Sequence, residues 1–134
     1  AYSAATDFCH QQGLTGMAEV CFSCLAPAMV KTGEWDRAVE VCRAILDAGD
    51  PPAAAQAVAA AELGVVYVLR GDTKRSRRLL SNGVGFGRRN ELFGLEIEAA
   101  HGLARADAQE GQLAGKAGPC AVDQGRDSQS RRSA

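Results

Sequence analysis

Apolar residues recur along the chain at intervals of three and four, the spacing that places side chains on one face of an α-helix. One such stripe precedes Gly33, and a second runs from Trp35 towards Gly49. Further helix-compatible segments cover residues 3–12, 53–70, 73–82 and 91–110. No stretch alternates apolar and polar residues with the period of two that a half-buried strand requires. The pattern therefore predicts an all-α chain of about six helices.

Glycine and proline mark the expected ends of these helices. Five glycines each follow a helix-compatible stretch, as left-handed C-terminal caps do: Gly13, Gly33, Gly49, Gly71 and Gly111. Asp50-Pro51-Pro52 should break the chain, because proline lacks a backbone donor and restricts the residue before it. Pro27 lies inside the helix that precedes Gly33. We expect that helix to kink or to split into two shorter pieces.

Length and composition indicate a single closely packed helical domain. The chain has 134 residues, of which 46% are hydrophobic and only 5% aromatic, so small and aliphatic side chains must fill one core. Its richness in Ala and Gly disfavours a β-sandwich or barrel. Residues 112–134 hold two large aliphatic side chains, Leu113 and Val122. We therefore predict a helical domain over residues 1–111, followed by a disordered tail or an incomplete repeat over 112–134.

Several features favour a cytoplasmic location. The N-terminus lacks the pattern of a signal peptide, so none is expected. No apolar run approaches the roughly 18 residues of a membrane span, so we expect no membrane partner. The five cysteines are an odd number without framework spacing, which favours reduced thiols.

The turn glycines also define an internal repeat. Gly33, Gly71 and Gly111 lie 38 and 40 residues apart, within the range of stacked helical hairpins. Eight residues before each glycine stands a leucine followed by a small residue: Leu25-Ala26, Leu63-Gly64 and Leu103-Ala104. Small residues let two helices approach closely while leucine fills the neighbouring groove. The repeat predicts stacked antiparallel hairpins that present a concave groove.

These residues resemble the tetratricopeptide repeat (TPR) family. Gly33-Glu34-Trp35-Asp36-Arg37-Ala38 is similar to the inter-helix turn of that family, and Leu63-Gly64 with Tyr67 and Gly71 to its first-helix signature. The chain departs from the family at Ile45 and Lys116, where small residues are usual, and its spacing exceeds the typical length of about 34 residues. The resemblance covers residues 1–111 and implies a TPR-like α–α superhelix.

The longer spacing resembles the helical-repeat region of MalT-like and LuxR-type bacterial transcriptional regulators. Two short segments are similar to sequences found in that group, namely Arg70-Gly71-Asp72 and His101-Gly102-Leu103-Ala104-Arg105. The resemblance implies a sensor or scaffold segment of a larger cytoplasmic regulator. In such regulators an ATPase precedes the repeats and a helix-turn-helix follows them, and neither is present in these residues.

Charge is unevenly distributed, although the formal net charge is −1. Residues 70–89 carry a net +6, whereas residues 1–69 carry a net −5. Four basic residues are close together: Lys74, Arg75, Arg77 and Arg78. This cluster is either a solvated face neutralised by the acidic first hairpin or a guide for an acidic partner segment. Interleaved aromatic residues and a recognition-helix motif are missing, so we expect no nucleic-acid binding through it.

Two motifs suggest chemistry, but each has a simpler interpretation. Cys21-Phe22-Ser23-Cys24 has the spacing of zinc and redox sites, with Cys9, His10 and Cys42 as further ligands. Cysteines three apart on a helix also share one packing face, which we favour, and we predict no metal or cofactor. Asn82-Gly83-Val84-Gly85-Phe86-Gly87 lacks the preceding strand of a phosphate-binding loop and is interpreted as a frayed helix end.

The sequence thus predicts a non-enzymatic domain that binds a protein or peptide. The groove should be lined by first-helix residues, namely Ser23, Lys31, Glu62 and Arg70, with Lys74, Arg75, Arg77 and Arg78 as an electrostatic guide. No nucleophile, base and acid can be combined by spacing into a catalytic set. An oligomerisation module and a domain that senses a small-molecule effector are alternatives, and a cysteine-based metal or redox site is a third.

Overall fold

The computed structural model describes residues 2–117, in which α-helices joined by short turns are the only regular secondary structure. The helices are α1 (Tyr2–Gln11), α2 (Thr15–Ser23), α3 (Leu25–Lys31), α4 (Trp35–Leu46), α5 (Ala53–Leu69), α6 (Thr73–Arg89) and α7 (Phe93–Ala117). The predicted all-α class is confirmed. Because α2 and α3 together occupy one predicted helix, the order of the six predicted segments is confirmed as well.

The break between α2 and α3 lies at Cys24, three residues before Pro27. Pro27 has no N–H to donate to the carbonyl of Ser23, and its ring crowds that carbonyl. As the third residue of α3, however, Pro27 occupies the first turn, where a missing donor is tolerated. The expected split of this helix by Pro27 is therefore confirmed.

Helix α5 is the centre of the packing and contacts α2, α3, α4, α6 and α7. Its sequence is almost entirely Ala, Val and Leu, and its buried residues run from Ala55 to Val68. Short connections join α3 to α4 and α5 to α6, so each pair forms an antiparallel hairpin, and α7 packs against both α5 and α6. This arrangement of helical hairpins matches the prediction.

Three of the predicted glycine caps are confirmed by their backbone geometry. Gly13, Gly33 and Gly71 have φ angles of 71°, 82° and 83°. After α5, for example, Gly71 N–H donates to the carbonyl of Val68 at 2.9 Å, and Asp72 N–H donates to that of Tyr67 at 2.8 Å. Glycine adopts this left-handed conformation without steric cost, which explains why it ends these helices.

The helix stop predicted at Gly111 is wrong, because α7 continues through this residue to Ala117. Gly111 is followed by Gln112, Leu113 and Ala114, which favour helix, and a single glycine inside a helix costs only about 1 kcal/mol. Residues 112–117 of the predicted tail are thus helical. The remainder of that segment, 118–134, lies outside the described residues.

The frayed helix end predicted at residues 82–87 is also wrong, since α6 runs without interruption to Arg89. A Cβ atom on Gly83 would lie 3.0 Å from the Cβ of Ala61 in α5 and 3.1 Å from that of Ala99 in α7. A Cβ on Gly87 would lie 2.7 Å from the backbone nitrogen of Glu96. These glycines let α6 lie close to its neighbours, and that packing offsets their low helix propensity.

The turn between α6 and α7 repeats the glycine-cap geometry with a glutamate in place of glycine. Glu91 has a φ of 56°, and Leu92 N–H donates to the carbonyl of Gly87 at 2.8 Å, as Asp72 does to Tyr67. A left-handed conformation costs an L-residue roughly 1–2 kcal/mol. We expect Glu91→Gly to raise the free energy of unfolding by about 1 kcal/mol in urea denaturation, since relief of strain outweighs the entropy of glycine.

Gly71→Ala is the matched control for this substitution, because it introduces a side chain at a φ of 83° and open space surrounds the new Cβ. It should lower the free energy of unfolding by about 1 kcal/mol. A decrease in stability for Glu91→Gly would contradict the assignment of strain to this turn.

Candidate functional site

Helices α3, α5 and α7 enclose a cleft of about 400 Å³, here called the α3–α5–α7 cleft. Val30, Val65 and Leu69 form its apolar floor, and Lys31, Glu98 and Arg105 form a charged rim, with His101 beside them. Gly102 helps to place the α7 wall, because a Cβ there would lie 3.0 Å from two methyl carbons of Leu80 in α6. The cleft therefore combines an apolar base with charges of both signs.

Glu62 lies buried next to this cleft, on the face of α5 that also carries Val65 and Leu69. Its side chain is 2% exposed, and its Oε2 atom accepts no hydrogen bond from a described residue. Burial raises the pKa of the Glu62 carboxyl to about 8; the negative charge of Glu98 adds to this effect, and Lys31 opposes it. At neutral pH the side chain is therefore largely a neutral carboxylic acid.

Lys31 and Glu98 lie within electrostatic range of Glu62 at the junction of three helices. The Nζ atom of Lys31 lies 3.8 Å from Oε2 of Glu98, and this pair is partly exposed to solvent. An ion pair in such a position contributes little to stability, so its partners can exchange for groups of a ligand. The structure thus brings two of the predicted groove residues, Lys31 and Glu62, into one place.

Sequence reasoning missed Glu98, the third of these residues. The spacing of residues 98, 101, 102 and 105 is i, i+3, i+4 and i+7, which places them on one face of α7. This periodicity was available as a signal in the sequence, whereas Glu96, two residues before Glu98, lies on another face of α7 and pairs with Arg88. Its neighbour across the cleft, Lys31, is 67 positions away from Glu98 in sequence. The two residues meet because α3 and α7 both pack against α5.

The other two predicted groove residues lie outside the cleft. Ser23 is fully buried, and its hydroxyl donates to the carbonyl of Val20 at 2.6 Å. This hydrogen bond lies within the last turn of α2. Arg70 follows the last residue of α5 and forms an ion pair with Asp36 of α4. It therefore connects two helices at the surface and does not line the cleft.

Within the basic cluster, Arg77 has a different environment from its neighbours. It donates hydrogen bonds to Asp107 and Glu110 of α7, both at 2.5 Å. These bonds raise the pKa of the Arg77 guanidinium and lower that of the Glu110 carboxyl. Arg77 thus connects α6 to α7 and has its charge compensated within the chain.

Lys74, Arg75 and Arg78 are exposed along a second concave surface, here called the α5–α6 groove. It consists of two depressions of about 550 Å³ and 340 Å³, both of which reach Asn82. Leu63, Tyr67 and Leu79 line the first; Ala57, Ala60, Phe86 and Arg89 line the second. The expected neutralisation by the acidic residues 1–69 is observed at Arg70, which pairs with Asp36, whereas Arg75 pairs with Asp72 at 3.4 Å and Arg77 pairs with α7.

The cysteines lie within the packing of the first helices. Cys9 and Cys42 are buried, and Cys21 and Cys24 are half-buried. Burial raises the pKa values of the Cys9, Cys24 and Cys42 thiols, the last to about 12, with Cys21 or Glu62 adding to the shift. These side chains are protonated at neutral pH and behave as small hydrophobic groups. Among residues 2–117, no three His, Cys, Asp or Glu side chains are grouped so as to hold a metal ion, and Cys120 lies outside the described residues.

Neither a membrane segment nor a known relative indicates what the chain does. None of the helices in the described range combines the length and the apolar character that a bilayer crossing demands. Comparisons with protein-family models, with curated proteins and with solved structures find no match.

Proposed function

We propose that the chain is a non-catalytic scaffold that holds a protein or peptide segment in the α3–α5–α7 cleft. The supporting observation is the cleft itself, which has an apolar floor, a volume of about 400 Å³ and charged groups on its rim. Recognition sites commonly combine a mainly apolar surface with a few polar groups that fix orientation. Stacked helical hairpins typically bind partners on such surfaces.

The lining supports a segment that inserts an apolar side chain between charged or polar neighbours. Val30, Val65 and Leu69 offer the apolar contact, and Lys31 and Glu98 can pair with groups of opposite charge on either side. Lys31 and Glu98 are 3.8 Å apart and partly exposed, so replacing their ion pair by pairs with a bound segment costs little free energy. The volume also suits a small effector molecule, which a binding screen distinguishes from a peptide.

We further propose that this scaffold is the sensor segment of a larger cytoplasmic transcriptional regulator of the bacterial MalT-like or LuxR type. The resemblance of residues 33–38 and 63–71 to tetratricopeptide repeats supports the proposal. Gly33 and Gly71, which carry much of that resemblance, adopt the left-handed caps that such a repeat requires.

Self-association is a second candidate, which one observation favours. Phe93 and Ile97 stand one turn apart on α7 and are 66% and 68% exposed. Large apolar side chains grouped on an exposed face are typical of protein contacts. Sedimentation analysis that finds dimers, together with their loss in a Phe93→Ser/Ile97→Ser variant, would support this candidate.

Selection of 12-residue peptides from a random phage-displayed library tests the scaffold proposal. We expect the enriched peptides to bind the chain, and the double variant His101→Ala/Arg105→Ala to weaken their binding by about tenfold, as loss of two contact side chains commonly does. Both residues are exposed, so their removal should leave the fold intact.

The matched control is Glu40→Ala/Arg43→Ala, which removes two exposed charged residues from α4 outside the cleft. It should leave peptide affinity unchanged. A library that enriches no binder, or peptides that bind the cleft variant and the wild type equally, would refute the proposed cleft.

A further inference from the structure

The α5–α6 groove has the length of a short helix. It extends along α5 from Ala53 to Tyr67, which at 1.5 Å per residue corresponds to about 21 Å, or roughly four helical turns. Small residues give it depth, since Ala57 and Ala60 face Gly85 across the second depression. A Cβ on Gly85 would meet only the guanidinium of Arg89.

The floor of this groove is apolar over most of its length. Leu63, Tyr67 and Leu79 contribute to one depression, and Leu46 and Phe86 contribute to the other. An amphipathic helix bound in a groove places side chains at i, i+3, i+4 and i+7 onto such a floor. The apolar floor therefore matches the inner face of a helix better than it matches a phosphate backbone, which requires polar and charged contacts.

The rim of the groove carries positive charge at both ends. Lys74, Arg75 and Arg78 border one depression and Arg89 borders the other, and within residues 2–117 no acidic side chain lines either. Lys74, Arg78 and Arg89 form no ion pair within 4.0 Å among the described residues, although Lys74 lies close enough to Glu110 to lower the pKa of its carboxyl. Positions 74, 78, 82, 85 and 89 follow one face of α6, so the cations form a row beside the floor.

We propose that the α5–α6 groove is a second docking surface, which binds an acidic amphipathic helix of a partner protein. The apolar face of that helix covers Leu63, Leu79 and Phe86, and its acidic side chains pair with the cations of α6. Charge complementarity selects this occupant, because opposite potentials across an interface guide association and fix register.

Residues 118–134 lack the acidic character that this occupant requires. They contain three arginines and two aspartates and therefore carry no net negative charge.

A fluorescein-labelled 15-residue peptide provides the test, built from glutamate, leucine and alanine with leucines at i, i+3, i+4 and i+7. Fluorescence anisotropy at low salt should show saturable binding to the wild-type chain. Arg78→Glu/Arg89→Glu should weaken that binding by at least about tenfold, because it replaces attraction by repulsion at both ends of the groove.

Matched controls distinguish specific binding in the groove from non-specific electrostatic attraction of the peptide to the chain. Arg37→Glu/Arg43→Glu changes the net charge by the same amount on exposed positions of α4 and should leave the affinity unchanged. A scrambled peptide of identical composition, which has no apolar face, should bind at least about tenfold more weakly. Equal binding of the scrambled peptide, or equal loss in the α4 control, would overturn the proposal.

Three further measurements give independent outcomes. A His101→Ala/Arg105→Ala variant should bind the acidic helix with wild-type affinity, so this result does not depend on the proposed cleft. Tighter binding of a 20-base random DNA strand than of the peptide would assign the groove to nucleic acid instead. A change in sedimentation on Arg78→Glu/Arg89→Glu would assign it to a second copy of the chain.

Discussion

Gly87→Ala is expected to destabilise the fold by about 2–3 kcal/mol, as overpacking at a close helix contact does. The added Cβ would lie 2.7 Å from the backbone nitrogen of Glu96 and 3.0 Å from its Cα. Because these are backbone atoms at the start of α7, they cannot move aside by a change of side-chain rotamer. The first turn of α7 must shift as a unit, and the denaturation midpoint in urea should fall without a change in m-value.

Gly85→Ala is a matched control two residues away in the same helix. Its Cβ would meet only Nη1 of Arg89, at 3.1 Å, the mobile end of an exposed side chain. The substitution should therefore stabilise the chain by up to about 1 kcal/mol through the higher helix propensity of alanine. Equal effects of Gly85→Ala and Gly87→Ala would mean that contact with α7 does not determine the role of Gly87.

These glycines show which parts of the fold were accessible from sequence. Gly13, Gly33 and Gly71 were predicted correctly because a helix cap is local: the glycine ends a helix within its own few residues. The meaning of Gly83 and Gly87 depends instead on Ala61, Ala99 and Glu96, whose proximity follows only from the packing of three helices. Local propensity therefore suggested fraying where tertiary contact stabilises a continuous helix.

The same distinction applies to the candidate surfaces. The sequence proposed Lys31 and Glu62 as groove residues, but it did not indicate Glu98 of α7, which pairs with Lys31 and acts on the carboxyl of Glu62. The basic cluster was evident from the sequence. The sequence did not show which of its side chains pair with acidic residues and which remain exposed. Arg77 pairs with Asp107 and Glu110, 30 and 33 residues away, while Lys74 and Arg78 remain exposed on the groove.

The buried carboxyl of Glu62 makes the stability of the chain depend on pH. Its pKa is about 8 in the folded chain and 4.5 for the ordinary side chain, so the folded state holds this proton more tightly than the unfolded state. Below pH 4.5 both states are protonated and the group contributes no pH dependence. Between pH 4.5 and about 8 the unfolded state ionises first, so stability falls as pH rises, and it levels off above that range.

Burial sets the size of this effect, and three groups on neighbouring helices modify it. Glu98 of α7 disfavours ionisation of Glu62, Lys31 of α3 favours it, and the Cys42 thiol of α4 interacts with the carboxylate once it forms. The main contribution is burial itself, since Glu62 is only 2% exposed and Oε2 has no partner among the described residues. The resulting loss of stability across the window is on the order of a few kcal/mol.

Glu62→Gln should remove this loss, because an amide of nearly the same shape does not ionise. Unfolding by urea, measured from pH 4 to 9, should show the wild type and the variant diverging steadily between pH 4.5 and 8, with the variant more stable by a few kcal/mol at the upper end. Glu40→Gln on the exposed face of α4 controls for removal of one carboxylate and should follow the wild-type profile. Parallel profiles of the wild type and Glu62→Gln would contradict an uncompensated carboxyl at the junction of α3, α5 and α7. Divergence in the expected direction would locate the pH response of the chain at a buried side chain next to its proposed binding cleft.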